Sequence, residues 1–238
     1  MRSTLRWRCA CSIAGAVILS PLASAPLDAQ NGDWASLARY HEANRELGEG
    51  RPGEQRVVFY GNSITDAWAK YFGAMFPGEP YVGRGISGQT TPQMLVRFRQ
   101  DVLALDPVVV VILAGTNDIA GNPGPSTQAM IEDNLASMAE LAQANGIRVV
   151  LSSVLPASDY PWRPGLDPGP KIVALNRWME QYSAANGIVY LDYHSGMVDQ
   201  HLGLDQALSQ DGVHPNEAGY QLMAPLAQRA IANALVGR

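Results

Sequence analysis

Cysteine is nearly missing from this 238-residue chain. The only two, Cys9 and Cys11, fall in an opening stretch that reads as a removable leader. Beyond residue 29 there is no thiol. That excludes a disulfide framework, a cysteine nucleophile and a Cys-based metal site in the mature protein. Positive charge is also scarce. The chain carries 17 basic and 22 acidic residues, net −5. Removing residues 1–29 takes away three Arg and one Asp and leaves 14 against 21, net −7. No basic cluster remains, so nucleic acid and anionic lipid are poor candidate partners. There is no internal repeat, low-complexity tract or domain linker, so residues 30–238 are expected to form one domain with a sizeable core.

The leader itself is well marked. Arg2, Arg6 and Arg8 form a basic head, residues 9–19 a mostly apolar run too short for a membrane span, and Ala23-Ser24-Ala25 a small-residue segment. This is the layout of a secretory signal over residues 1–29. Cleavage after Ala25 or after Ala29 both fit. Neither cysteine lies in the small-residue context of lipid attachment. The expected product is exported, periplasmic or extracellular, and free of a stable membrane anchor.

Apolar runs and turn signals then alternate along the chain. Strands are predicted near 57–60, 81–83, 107–115, 147–154 and 187–192. Helices are predicted over 33–47 with Asp33 as N-cap, 66–75, 91–105, 127–145, 172–186 and 216–236. The unbroken run Val108-Val109-Val110-Val111-Ile112-Leu113 suits a central parallel strand covered on both faces. Strands alternating with helices imply a mostly parallel sheet between two helical layers, α/β in class. Gly83-Arg84-Gly85-Ile86-Ser87-Gly88 spells G-x-G-x-x-G. It carries an Arg at its centre, lies outside a first βαβ unit and has no acidic residue at the required distance, so dinucleotide binding is not expected.

The chemistry gathers at strand ends. Val57-Val58-Phe59-Tyr60 runs into Gly61-Asn62-Ser63, which puts Ser63 at the carboxyl end of the first strand, where open α/β sheets hold ligands. Ser63 could instead cap the next helix. Its candidate partners lie far along the chain. A serine hydroxyl needs a base within hydrogen-bond reach, and His214 suits that role. The base needs an orienting carboxylate. Asp211, one tight turn earlier, is the first candidate and Asp192, at the end of the fifth strand, the second. A developing oxyanion needs fixed donors, for which the backbone N–H groups of Ser63 and Gly85 and the side-chain amide of Asn117 are available. Asp66 is expected to cap the helix behind Ser63, and Asp118 to brace the turn after the third strand. His41, His194 and His201 lack metal-ligand spacing, and no metal or cofactor is expected.

Four blocks carry a resemblance: Gly61-Asn62-Ser63-Ile64-Thr65, Arg84-Gly85-Ile86-Ser87-Gly88-Gln89-Thr90-Thr91, Gly115-Thr116-Asn117-Asp118, and Asp211-Gly212-Val213-His214-Pro215-Asn216. In this order they resemble the SGNH hydrolases, also called the GDSL esterase/lipase family, over about residues 57–220. The resemblance implies a three-layer α/β/α, flavodoxin-like fold with a five-stranded parallel sheet. It also implies Ser63 as nucleophile, His214 as base, Asp211 as its partner, and Ser63, Gly85 and Asn117 as the oxyanion hole. One position departs: the family usually has Asp where this chain has Asn62. The G-x-S-x-G elbow of the larger α/β-hydrolases is absent, since Thr65 replaces the second Gly.

The expected substrate is a small ester or an acylated carbohydrate, with acetyl the expected acyl group. Trp162 and Arg163, in the loop Asp159-Tyr160-Pro161-Trp162-Arg163, are candidate sugar contacts, and Asn62 a candidate substrate contact. Two alternatives stand beside this: a lysophospholipid or other lipid ester as substrate, and a glycan-binding protein without turnover.

Overall fold

Valine-rich strands with both faces apolar must be covered twice, and the chain does this with two helical layers. The structure is a computed structural model that describes residues 32–236. The expected signal segment and both candidate cleavage positions lie outside the described residues. In chain order the elements are α1 (His41–Leu47), β1 (Val57–Gly61), α2 (Ser63–Trp68), α3 (Phe72–Met75), β2 (Tyr81–Gly85), α4 (Thr91–Asp101), β3 (Val109–Leu113), α5 (Thr116–Ile119), α6 (Gln128–Ala144), β4 (Arg148–Ser152), α7 (Gly169–Asn186), β5 (Val189–Leu191), α8 (His194–Met197) and α9 (Glu217–Val236).

The five strands form one parallel sheet in the order β2-β1-β3-β4-β5. Successive strand side chains point to opposite faces. Val58, Tyr60, Val110, Ile112, Val149 and Leu151 therefore pack against α4, α6 and α7, which contribute Met94, Phe98, Leu135, Met138, Leu175 and Met179. Their neighbours Val57, Phe59, Val109, Val111 and Val150 face α2, α3, α8 and α9 through Trp68, Phe72, Met197, Met223 and Ile231. This is the expected three-layer α/β/α arrangement. No described helix is long and apolar enough to cross a membrane.

The direction of winding reverses between β1 and β3. That switch point opens a crevice at the carboxyl ends of these strands. Ser63 follows β1, Gly85 ends β2 and Asn117 follows β3, so the topology delivers three candidate residues to one rim.

Several expected boundaries are corrected. The helix expected over 33–47 starts only at His41. Ser36 takes a left-handed φ of 55°, which breaks helical propagation. Asp33 still caps, but it receives the N–H groups of Leu37 and Ala38 in a run of turns. The helix after β1 begins at Ser63 rather than residue 66 and is interrupted by a 3-10 turn at Ala69–Tyr71. The helix expected over 91–105 ends at Asp101, followed by a 3-10 turn at Leu103–Leu105.

Candidate active site

Ser63 is the first residue of α2, so its backbone N–H has no partner within the helix. The preceding Asn62 is the true cap. Its Oδ1 accepts the Ile64 N–H at 3.2 Å. Asp66 is therefore not a cap; its carboxylate accepts from the Ser87 hydroxyl at 2.9 Å. α2 is held from the other side by α9, where the Tyr220 hydroxyl donates to the Ile64 carbonyl at 2.9 Å. Tyr220 also stacks on Trp68 with ring centroids 5.5 Å apart.

His214 reaches this serine from 151 positions away. Ser63 Oγ lies 2.9 Å from His214 Nε2, and His214 Nδ1 lies 2.7 Å from Asp211 Oδ2. The loop that makes this possible is heavily cross-braced. Asp211 Oδ1 accepts the backbone N–H groups of Val213 at 2.9 Å and His214 at 2.8 Å. The Ser209 hydroxyl donates to the His214 carbonyl at 2.8 Å and accepts the Gly212 N–H at 3.0 Å. Gly212 supplies the left-handed φ of 77° that folds the turn back on itself. Partial burial acts to raise the Asp211 pKa, but the bonds from the His214 N–H, the His214 ring and the Val213 N–H outweigh it and hold the carboxyl at about 2. It is thus a carboxylate at any working pH. Asp192, the second candidate partner, is engaged elsewhere: it accepts the Ser195 N–H at 3.0 Å.

Gly85 abuts the start of α2. A Cβ there would lie 2.7 Å from both the Asn62 carbonyl oxygen and Asp66 Cα, so only glycine fits. The next residue, Ile86, donates its N–H to Gly61 O at 3.1 Å. Hydrogen-bonding direction alternates along a parallel strand, so the Gly85 N–H is not consumed by β1. Asn117 Nδ2 donates to the Gln89 carbonyl at 2.9 Å. An amide carries two N–H donors, so one remains for a ligand while the other fixes the group's plane.

Asp118 does more than brace its own turn. It accepts the Thr91 backbone N–H at 3.0 and 3.1 Å and the Thr91 hydroxyl at 2.6 Å, tying α5 to the start of α4. Burial raises its pKa to about 6 despite those bonds.

The substrate contacts expected from sequence divide three ways. Trp162 is 44% exposed and its ring centroid lies 6.2 Å from that of His214, so it borders the site. Arg163 is exposed but engaged with the protein. Its Nη1 donates to the carbonyls of Ala120 at 2.9 Å and Gly121 at 2.8 Å, clamping the loop to the end of α5. Asn62 is buried and its Oδ1 is engaged in capping. Its Nδ2 has no hydrogen-bond partner. Gln89, which fixes Asn117, is a residue sequence reasoning misses; its one signal is its place within the second of the four blocks.

This arrangement is a hydroxyl, an imidazole and a carboxylate in series, with N–H donors grouped beside the hydroxyl. A model of the GDSL-like lipase/acylhydrolase family matches residues 59–222, more than half of the chain. The chain belongs to that family. It is a carboxylic ester hydrolase with the GDSL fold. The crystal structure of a GDSL-like lipase from Bacteroides thetaiotaomicron is similar at a TM-score of 0.81 and 46% identity, covering 84% of this chain and 98% of that one. Esterase TesA of Pseudomonas aeruginosa is 28% identical over 68% of this chain and 80% of its own length. An acetylxylan esterase of Xylanibacter ruminicola is 27% identical over 74% of this chain, but only 43% of that longer protein is spanned.

Proposed function

We propose that this GDSL esterase is exported and removes short acyl groups, acetyl foremost, from carbohydrate by a Ser63–His214–Asp211 mechanism. The observation that carries the proposal is the unbroken hydrogen-bonded series from Ser63 Oγ through His214 to Asp211, at 2.9 and 2.7 Å. A retained series of this geometry also speaks against a glycan-binding protein without turnover.

The steps follow from the positions of the groups. Ser63 Oγ attacks the ester carbonyl carbon as its proton passes to His214 Nε2. Asp211 holds the Nδ1–H of the ring and balances the imidazolium that forms. The carbonyl oxygen becomes an oxyanion held by the N–H groups of Ser63 and Gly85 and the free N–H of Asn117. Collapse breaks the ester C–O bond, and the leaving alcohol takes the proton from His214. Water then attacks the acyl–Ser63 ester, gives a proton to His214 Nε2, and the second collapse returns that proton to Ser63 as the carboxylic acid departs.

Carbohydrate is favoured by the exposed Trp162 ring beside His214, a flat apolar surface of the kind on which a sugar face packs. The relationship to an acetylxylan esterase points the same way. The test is acetate release from a panel of acetylated polysaccharides, alongside p-nitrophenyl esters of increasing acyl length. Turnover that favours acetate, vanishes in Ser63→Ala and weakens on polysaccharide in Trp162→Ala supports the proposal. Preference for long acyl chains moves the substrate to a lipid ester. Glycan binding with no Ser63-dependent hydrolysis overturns the mechanism.

A further inference from the structure

We propose that Arg97 is a positioning residue of the oxyanion hole, acting from behind it. The inference rests on the esterase reading above and concerns a side chain that no substrate can touch. Arg97 lies on α4 and is fully buried. A guanidinium removed from water needs hydrogen-bond partners, and here each of its three nitrogens has one. Nε donates to Gln89 Oε1, and Nη1 to Asp101 Oδ2 at 3.0 Å. Nη2 donates to two backbone carbonyls, Gly61 at 2.9 Å and Arg84 at 3.0 Å. The Tyr60 ring lies over the cation, 4.2 Å from Cζ to its centroid.

The identity of those carbonyls carries the inference. The Arg84 C=O and the Gly85 N–H are the two ends of one planar peptide unit. Fixing the oxygen fixes the direction of the N–H. A cation on the oxygen also draws electron density from the nitrogen, and hydrogen bonds linked in this way strengthen one another by about 10–30%. The Gly61 carbonyl belongs to the peptide that leads into Asn62, the cap of α2, at whose first residue the Ser63 N–H stands. The third donor connects through Gln89. Arg97 holds the Gln89 side chain, and the Gln89 backbone carbonyl holds Asn117 Nδ2 at 2.9 Å. One guanidinium thus stands behind all three donors.

A stabilising role alone accounts poorly for this placement. A buried ion pair contributes little net stability, and apolar replacements of similar volume are often neutral. The protein contains an internal contrast in Arg56, also buried, which donates to the carbonyls of Gly48 and Leu105, both at 2.7 Å. Arg56 precedes β1 and so sits at the opposite rim of the sheet from Ser63. It is a buried arginine bound to backbone carbonyls without an oxyanion donor on the other side of them.

The test compares Arg97→Lys, the double variant Arg97→Met/Asp101→Leu, and Arg56→Lys. Active sites are counted by endpoint titration with a fluorophosphonate. kcat and KM are then measured on p-nitrophenyl acetate, and affinity is measured for phenylboronic acid, whose serine adduct is tetrahedral. In Arg97→Lys, kcat per titrated site is expected to fall at least about 10-fold, short of the ~10²–10³ for outright loss of a donor. KM should stay near wild type and boronate affinity should fall by a similar factor. Arg56→Lys should lower the unfolding midpoint and leave kcat per site unchanged. Wild-type kcat and boronate affinity per site in a folded Arg97 variant overturn the proposal. So does failure of both Arg97 variants to fold while Arg56→Lys folds, because the role is then stability. If wild type itself shows no Ser63-dependent turnover of any ester, it is the esterase reading that fails.

Discussion

Replacing Gly85 with alanine adds one methyl group where the edge of the sheet meets the helix that starts at Ser63. The new Cβ would lie 2.7 Å from Asn62 O and Asp66 Cα and closer still to Asp66 N, against ordinary contacts of 3.4–4 Å. All three atoms are backbone, so no side chain can swing aside. The end of β2 and the start of α2 must separate by more than ~1 Å, because the nearest atom, Asp66 N, sets the shortfall from van der Waals contact. Overpacking of this kind costs about 1–3 kcal/mol, and a rigid backbone neighbour places it near the upper figure. The same separation moves the Gly85 N–H away from the Ser63 hydroxyl. Misplacement by about 1 Å lowers catalysis roughly 10²-fold, equivalent to about 2.7 kcal/mol of transition-state stabilisation. Urea unfolding gives the first quantity and kcat/KM on p-nitrophenyl acetate the second. Gly78→Ala is the control. It has nothing within 4 Å of the added carbon but a φ of 82°, so it should cost about 1–2 kcal/mol in stability and nothing in kcat/KM. A folded Gly85→Ala enzyme with wild-type kcat/KM refutes the reasoning, because the Gly85 N–H then takes no part in holding the oxyanion.

Ser63→Ala and His214→Ala should each abolish ester hydrolysis to a similar residual rate, and the double variant should be no worse than either, since the hydroxyl and imidazole act as one unit; a multiplicative loss on p-nitrophenyl acetate contradicts this. The Asp211 carboxyl is held at about 2 in the folded protein against 3.8 ordinarily. A depressed carboxyl stabilises above its unfolded pKa, so the stability gap between wild type and Asp211→Asn should be constant above about pH 4 and narrow as pH falls toward 2. The effect should be small in denaturant titrations, because the side chain is 42% exposed and solvent screens it. Asp118 has the opposite sign. Its pKa is raised from 3.8 to about 6, so the native state keeps a proton that the unfolded state has lost, and wild-type stability should decline as pH rises between these values. That span corresponds to about 3 kcal/mol. Asp118→Asn, which can still accept from Thr91, should therefore gain on wild type by up to this amount between pH 4 and pH 7, and parallel stability profiles contradict the burial argument.

The fold was legible because its signals are local. β1 and β3 are built on uninterrupted apolar runs, and Gly146 and Gly187 mark the ends of α6 and α7 where left-handed residues are needed, with φ of 73° and 65°. The first helix departs from expectation because Asp33, Trp34 and Leu37 have helix-start character, whereas nothing in the identity of Ser36 announces its left-handed φ. Asp66 misled for a related reason. An acidic residue early in a helix suits capping, but Asn62 had already taken the Ile64 N–H, and Asp66 turned outward to Ser87. The candidate triad was legible for a different reason. Asp211 and His214 are three residues apart, so their pairing needs only one turn, and the parallel topology carries the turn to the rim where Ser63 stands.

What sequence reasoning missed depends on pairings between distant, chemically ordinary residues. Arg163 reads as a surface cation suited to a sugar, yet its partners are two carbonyls 42 and 43 residues earlier. A Cβ on Gly121, whose φ is 73°, would come within 2.5 Å of Arg163 Nη1, so glycine at 121 is what permits the clamp. Arg97 reads as a polar residue on an amphipathic helix; helical spacing puts it on the face of Met94 and Phe98, but does not say which groups receive a charge there. In both cases two of the acceptors are backbone carbonyls, which every residue possesses and no sequence pattern distinguishes. The candidate reacting groups of this site are side chains and can be found by their types. Arg163 and Arg97 are held in part through main-chain oxygen, and only the fold shows which oxygen that is.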